Sequence, residues 1–90
     1  MSAQAYEVRL RPAARRQLER LERAVQLRLI NALAGLAEQP RPAGAKTLQG
    51  LPGLLRLRVG DYRVLYQVHD DRLLVLVLTL GRRRDVYRQR

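Results

Sequence analysis

Three arginines surround a glycine in RLRVGDYRVLY, the stretch that begins at Arg56. Alternating apolar residues on both sides of Gly60 indicate a β-hairpin with a two-residue turn, and that turn length sets the pairing of the strands. The predicted cross-strand pairs are Val59 with Tyr62, Arg58 with Arg63, Leu57 with Val64, Arg56 with Leu65 and Leu55 with Tyr66. Arg56, Arg58 and Arg63 then share one face, and the apolar side chains share the other. A guanidinium group stays charged and binds phosphate oxygens through two parallel N–H donors, so the arginine face predicts an anion site.

Two interpretations of the arginine face are open. Like charges directly opposite each other destabilise a sheet by a few tenths to about 1 kcal/mol. A merely solvated face tolerates that repulsion if the long side chains spread apart. A functional face binds an anion, and the anion removes the repulsion between the arginines.

The closing stretch GRRRDVYRQR adds a second basic group, Arg82, Arg83 and Arg84, followed by Tyr87. If the strand before this stretch pairs with the second strand of the hairpin, it ends near the Gly60 turn. We therefore expect the two basic groups to converge at one end of the sheet.

The chain carries few other groups that catalyse. It has no cysteine, Ser2 is its only serine and His69 is its only histidine, which excludes a serine or cysteine nucleophile activated by histidine. The carboxylates of the C-terminal half are scattered, and no Gly-rich nucleotide-binding loop is present. We expect neither a metal nor a cofactor.

A metal-free group of arginines with a tyrosine suits an RNA phosphodiester, whose own 2′-OH is the nucleophile. The protein then has to orient that hydroxyl, neutralise the charge of the transition state and move protons. Arginine is a poor general base, and a tyrosine is largely neutral unless neighbouring cations lower its pKa. The group that takes the proton is left open.

The elements that must hold these residues form an α+β pattern. Residues 5–10 alternate as a short strand, and an apolar stripe at three- and four-residue steps predicts helix over residues 12–38. One straight helix of that length is too long for so small a domain, so we expect a helical hairpin with a bend near residues 22–25. Residues 40–53 are predicted to be a loop. The three-stranded antiparallel meander that follows covers residues 54–59, 62–68 and 73–80. We expect the helices on one face of this sheet.

The last of these strands is apolar on both faces. With the second turn centred on residues 70–71, the arginine face receives Leu74, Leu76, Leu78 and Leu80. A slip of one residue would exchange these leucines with Val75 and Val77. Either arrangement is typical of a central strand.

Ninety residues with a net charge of +10 suit one small domain, residues 1–90, that is attracted to polyanions. No secretory signal is evident, and the apolar run of residues 73–80 is too short to span a bilayer. We expect a cytoplasmic protein with no membrane partner.

This combination of hairpin, strand and GRRRDVY motif resembles the RelE/ParE toxin superfamily, and more closely its RelE-like branch of mRNA interferases. The resemblance covers nearly the whole chain. It implies the toxin of a type II toxin–antitoxin pair, a metal-independent endoribonuclease that cuts mRNA on the ribosome. The implied partners are mRNA, the ribosome and a small acidic antitoxin.

The resemblance also implies residue roles. Arg63 and Arg83 would hold the phosphate and stabilise its charge, while Tyr87 would orient the 2′-OH, stack on a base or share proton transfer. The further RNA- or phosphate-binding candidates are Arg56, Arg58, Arg82 and Arg84. Well-studied relatives place lysines at the first two of these positions, and lysine can be tuned for acid–base work as arginine cannot. We therefore expect weak cleavage.

Two other functions stay open. The ParE-like branch shares the fold but inhibits DNA gyrase without cutting RNA. A non-enzymatic basic domain that binds nucleic acid or an antitoxin-like peptide would also carry this charge.

Overall fold

The computed structural model describes residues 5–82 of the chain. Within this range, two helices pack on one face of a five-stranded mixed sheet, which confirms the α+β class. The elements are β1 Glu7–Leu10, α1 Pro12–Glu19, α2 Arg23–Glu38, β2 Ala45–Leu48, β3 Leu51–Val59, β4 Tyr62–His69 and β5 Leu74–Arg82. A 3-10 turn, Asp70–Arg72, joins β4 to β5.

The strands lie in the order β1-β5-β4-β3-β2. The antiparallel meander β3-β4-β5 is confirmed, and β1 pairs in parallel with the far side of β5. As expected, β5 is therefore a central strand, with a neighbour on each side.

The prediction of a loop over residues 40–53 is wrong for β2 and for the start of β3. Lys46 and Thr47 pair with Arg56 and Leu55, so the described sheet has one strand more than the sequence predicts. With only four residues and an exposed middle, β2 has no apolar alternation to mark it. It forms because β3 offers an edge for backbone pairing, a tertiary cause that local propensity does not contain.

The helical hairpin is confirmed, and the chain turns slightly earlier than expected, between Glu19 and Arg23. No glycine or proline marks the turn. Instead, Gln26 Nε2 donates a hydrogen bond of 2.9 Å to the Leu18 carbonyl oxygen. The same carbonyl also accepts a hydrogen bond of 3.2 Å from the Leu21 backbone N–H, so this bond from α2 adds to the one that closes the end of α1.

The core lies between the helices and the sheet, where α1 packs on β5 and β1 and α2 packs on β1 and β3. Its buried side chains are Ala14, Leu29, Leu33, Leu36, Leu55, Val64, Tyr66, Val75, Val77 and Leu80. The apolar face predicted for the hairpin belongs to this core or packs against it.

Neither predicted arrangement of the β5 leucines is right, because β5 contains a bulge. Leu65 pairs with Thr79 but the next residue, Tyr66, pairs with Val77, so Leu78 is an extra residue. One extra residue reverses the alternation of the side chains. Leu80 consequently joins Val75 and Val77 in the core, while Leu74 and Leu76 stay on the arginine face, half-buried.

Candidate functional site

The β3–β4 turn controls the geometry of the arginine face. Gly60 has φ of 61°, a left-handed conformation that the two-residue turn requires and glycine adopts freely. The observed ladder pairs Val59 with Tyr62 and Arg58 with Arg63, and all five predicted pairs are present. The prediction that Arg56, Arg58 and Arg63 share a face is therefore confirmed.

The three arginines differ in exposure. Arg58 is exposed, Arg56 is half-buried and only 7% of Arg63 is accessible. Arg63 lies on an inner strand with Arg58 beside it on β3 and Gly81 beside it on β5. Arg63 is thus the most buried of these cations, and Arg58 is the most accessible.

Sequence reasoning missed Lys46, the only lysine of the chain. Lys46 lies directly opposite Arg56, so β2 adds a fourth cation to the arginine face. We call Lys46, Arg56, Arg58 and Arg63 the cationic cluster. No sequence signal pointed to Lys46, because its place depends on the pairing of an unpredicted strand.

Arg28 of α2 is a second residue that sequence reasoning missed. Its Nη1 atom lies 3.5 Å from the position that a Cβ on Gly60 would occupy, so the side chain reaches across to the turn. On the other side of the turn, Arg82 pairs with Tyr62 and is exposed. The expected convergence of basic residues at this end of the sheet therefore holds for Arg82. Arg83, Arg84 and Tyr87 lie outside the described residues.

The described residues give no sign of a metal centre, since none of their His, Asp and Glu side chains form a group of three that could hold an ion. The cationic cluster itself suits anions, which bind where guanidinium and ammonium groups converge. Among the described helices, none is long and apolar enough to cross a membrane.

Comparison with known proteins identifies the family of the chain. The family model described as the ParE toxin of the type II toxin–antitoxin system parDE matches residues 8–87. The chain belongs to the RelE/ParE toxin superfamily.

Relatives of this RelE/ParE toxin carry names from the RelE side of the superfamily. Toxin RelG of Mycobacterium tuberculosis is 32% identical over 85 residues, which are 93% of this chain and 98% of that protein. The mRNA interferase toxin RelE of Escherichia coli K12 is 32% identical over 81 residues, which are 88% of this chain and 84% of that protein.

Solved structures share the fold. The toxin–antitoxin complex RelBE2 of M. tuberculosis contains a chain that matches with a TM-score of 0.78 and 29% identity, over 90% of this chain and 94% of that one. A chain of the intact E. coli RelBE complex matches with a TM-score of 0.74 and 31% identity, over 87% of this chain and 96% of that one.

A separate polar cluster secures the opposite end of the toxin's sheet. Arg41 Nη1 and Nη2 donate to the two carboxylate oxygens of Asp70 at 3.1 and 2.8 Å, and the Tyr6 hydroxyl donates to Asp70 Oδ1 at 2.6 Å. The bonds from Arg41 and then from Tyr6 lower the pKa of Asp70 to about 2. This cluster connects the residue before β1 and the segment after α2 to the β4–β5 turn.

Tyr66 reinforces that connection from inside the core. Its hydroxyl donates a hydrogen bond of 2.8 Å to the Pro40 carbonyl oxygen, and burial raises the pKa of the phenol. Next to the same turn, His69 is half-buried with Nε2 3.3 Å from Gln67 Oε1. His69 lies at the far end of β4 from the Gly60 turn and Tyr66 lies in the core, so neither belongs to the cationic cluster.

Proposed function

We propose that this toxin is a metal-independent endoribonuclease that cuts mRNA on the ribosome. The observation that carries the proposal is the cationic cluster, in which a buried Arg63 lies opposite an accessible Arg58. Support comes from the 32% identical E. coli relative that is named an mRNA interferase.

The proposed reaction is an internal transesterification in which the RNA supplies the nucleophile. The ribose 2′-oxygen attacks the neighbouring phosphorus, the bond from phosphorus to the 5′-oxygen breaks, and a 2′,3′-cyclic phosphate and a 5′-hydroxyl result. One proton leaves the 2′-OH and one is delivered to the departing 5′-oxygen. The cationic cluster offsets the extra negative charge that the phosphate oxygens acquire in the transition state.

The roles of individual residues are part of the proposal. Arg63 and Arg83 hold the reacting phosphate, and Tyr87 orients the 2′-OH, stacks on a base or shares proton transfer. The residues assigned to the RNA backbone are Arg56, Arg58, Arg82 and Arg84. Lys46 joins them because β2 places it beside Arg56.

Arginine at positions 56 and 58 is expected to make cleavage slow. A guanidinium group stabilises charge but does not give up a proton at neutral pH, whereas a lysine ammonium can be tuned to do so. Electrostatic stabilisation is then intact, and proton transfer is the step that limits the rate.

An acidic antitoxin is the proposed protein partner. The solved M. tuberculosis and E. coli complexes that this chain resembles are toxin–antitoxin assemblies. A net charge of +10 favours an acidic protein as well as RNA. A toxin that acts on ribosome-bound mRNA is expected to act in the cytoplasm. The proposal includes no membrane partner, metal or cofactor.

The test is cleavage of mRNA bound to purified ribosomes, followed by analysis of the RNA ends. We expect 2′,3′-cyclic or 3′-phosphate ends from the wild-type toxin, none above background from Arg63→Ala, and a loss of roughly 10²-fold in rate for Tyr87→Phe. Arg15→Ala, at an exposed residue of α1, is the matched control and should cleave normally. Since Arg63 is buried, circular dichroism must show that its variant is folded, and the exposed Arg58→Ala provides an independent loss.

The second candidate is inhibition of DNA gyrase, which the ParE description of the matching family model favours. Gyrase stalled on DNA, together with intact ribosome-bound mRNA, would replace the ribonuclease proposal. Cleaved mRNA with normal gyrase turnover would exclude this candidate.

A further inference from the structure

A groove of about 230 Å³ opens on the helix side of the sheet, beside the Gly60 turn. Its lining residues come from α1, the α1–α2 turn, β4 and β5, and they are Gln17, Arg20, Leu21, Tyr62, Leu80, Gly81 and Arg82. We call it the Tyr62 groove.

The floor of the groove is fixed by hydrogen bonds. Gln17 Oε1 accepts a bond of 2.9 Å from the Thr79 hydroxyl and another of 2.9 Å from the Leu80 backbone N–H. These bonds hold α1 against β5. Leu21 and Tyr62 pack on the core and also line the groove, so its apolar surface is continuous with the core.

The charge and size of the Tyr62 groove select the kind of ligand. Its charged lining residues are Arg20 and Arg82, both exposed and both cationic, and they share the groove with aromatic Tyr62 and aliphatic Leu21 and Leu80. A volume of about 230 Å³ is below the roughly 300 Å³ at which pockets for whole small-molecule ligands begin, so the groove suits one unit of a longer chain. A flat, apolar unit flanked by negative charges is a nucleotide of single-stranded nucleic acid, which such proteins bind by aromatic stacking within a positive groove.

The groove adjoins the cationic cluster. Tyr62 and Arg63 are consecutive residues of β4, so their side chains point to opposite faces of the sheet from Cα atoms about 3.8 Å apart. Arg28 near the Gly60 turn and Arg82 opposite Tyr62 add positive charge at this end of the sheet. An RNA strand that leaves the cluster can follow this charge around the sheet end into the groove.

We propose that the Tyr62 groove binds one unpaired nucleotide of the RNA whose phosphate occupies the cationic cluster. The base lies against Tyr62 and Leu21, and the flanking phosphates face Arg20 and Arg82. This inference rests on the ribonuclease function proposed above and adds a substrate contact on the other face of the sheet.

The test uses 2′-O-methyl hexanucleotides, which lack the nucleophilic hydroxyl, so the full-length toxin binds them without cleavage. A set is made in which each oligonucleotide has one abasic position, and Kd is measured by fluorescence anisotropy at fixed salt. We expect one abasic position to weaken binding to the wild-type toxin by roughly 5- to 100-fold, the equivalent of one base stacked on an aromatic ring. In Tyr62→Leu the same abasic position should not weaken binding further, because the abasic site and the substitution each remove the same contact between the base and Tyr62.

Two charge-reversal variants test the same groove without altering the core. Arg20→Glu should weaken binding of the unmodified hexanucleotide roughly tenfold, as expected for loss of a charged hydrogen bond to phosphate. Arg15→Glu makes the same charge change on the same helix but outside the groove, and we expect less than a twofold effect. This comparison holds even if Tyr62→Leu fails to fold.

Two results would overturn the inference, and they differ in what they say about the ribonuclease. If wild-type toxin cuts ribosome-bound mRNA but all abasic positions are equivalent and Arg20→Glu matches Arg15→Glu, only the groove assignment is wrong. If wild-type toxin neither binds the hexanucleotides nor cuts mRNA, the ribonuclease proposal is wrong and the groove assignment is overturned with it.

Discussion

Arg58 lies directly opposite Arg63 in the β3–β4 ladder, so two cationic side chains occupy adjacent positions on the arginine face. Cross-strand like charges destabilise a sheet by a few tenths to about 1 kcal/mol, and an anion placed between them removes that penalty. Binding of an anion at this pair is therefore expected to stabilise the toxin.

Arg58→Gln should therefore make the anion-free toxin as stable as wild type or more stable by up to about 1 kcal/mol. It should also reduce the rise in Tm that sulfate produces, because an anion stabilises the native state only in proportion to its binding. Thermal unfolding in sulfate and in chloride of equal ionic strength measures both effects. Arg15→Gln is the control, and an equal response of the two variants to sulfate would contradict the prediction.

Gly60→Ala should destabilise the toxin by about 1–2 kcal/mol, the penalty of a left-handed conformation for a residue with a Cβ. The added Cβ would meet Arg28 Nη1 at 3.5 Å, an ordinary contact, so the penalty arises in the backbone and not from a clash. Gly60→Asn should lose less, since asparagine adopts this conformation more readily. Urea unfolding of both variants tests the order, and equal losses would argue against backbone strain.

Gln17→Leu should destabilise the toxin by about 1–3 kcal/mol, because the Leu80 backbone N–H in the core loses its acceptor. Gln17→Glu keeps an oxygen at the same place and should retain most of the stability. Free energies of unfolding measured in urea compare the two variants with the wild-type toxin. If Glu is as harmful as Leu, the hydrogen bonds to Thr79 and Leu80 are not what holds α1 against β5.

The parts of the fold that the sequence predicts are those set by local chemistry. The two-residue turn at Gly60 determines the hairpin register, and the register alone brings Arg56, Arg58 and Arg63 onto one face. The apolar stripe of the helices and the size of the domain together require the helical hairpin. These inferences need no knowledge of distant contacts.

The parts that the sequence does not predict depend on long-range contacts. Lys46 enters the cationic cluster through a four-residue strand that exists only because β3 pairs with it. Arg28 reaches the Gly60 turn because of how α2 is placed over the sheet. The bulge at Leu78 moves Leu80 into the core, and neither a turn residue nor a break in the apolar run of the sequence predicts this bulge.

Asp70→Asn should lower Tm at neutral pH by no more than a few degrees, since the contacts of Asp70 are exposed and screened by solvent. The pKa of Asp70 is lowered from 3.8 to about 2 in the folded toxin. Its stabilising effect is therefore fully present above about pH 3.8 and is lost as the pH falls through about 2. Thermal unfolding of wild type and variant across this range should show the Tm difference closing at the acid end.

Asp71→Asn is the matched control, an exposed neighbour with no described bond to Arg41 or Tyr6. It should show no comparable closing of the difference. A gap for Asp70→Asn that persists to the acid end would mean that the ionised carboxylate is not what Arg41 and Tyr6 stabilise.

Lys46→Ala should weaken binding of single-stranded RNA and reduce the slope of log Kd against log salt by roughly 0.7, the contribution of one phosphate contact on a single strand. Lys46→Arg should restore both affinity and slope, because the proposed role of Lys46 beside Arg56 is to supply charge. Anisotropy titrations at several salt concentrations measure the slopes, and mRNA cleavage on ribosomes is assayed for the same variants. If Lys46→Arg binds RNA normally but does not cut mRNA, then Lys46 acts through its transferable proton. The only lysine of the chain would then do the acid–base work that the arginines at positions 56 and 58 cannot do.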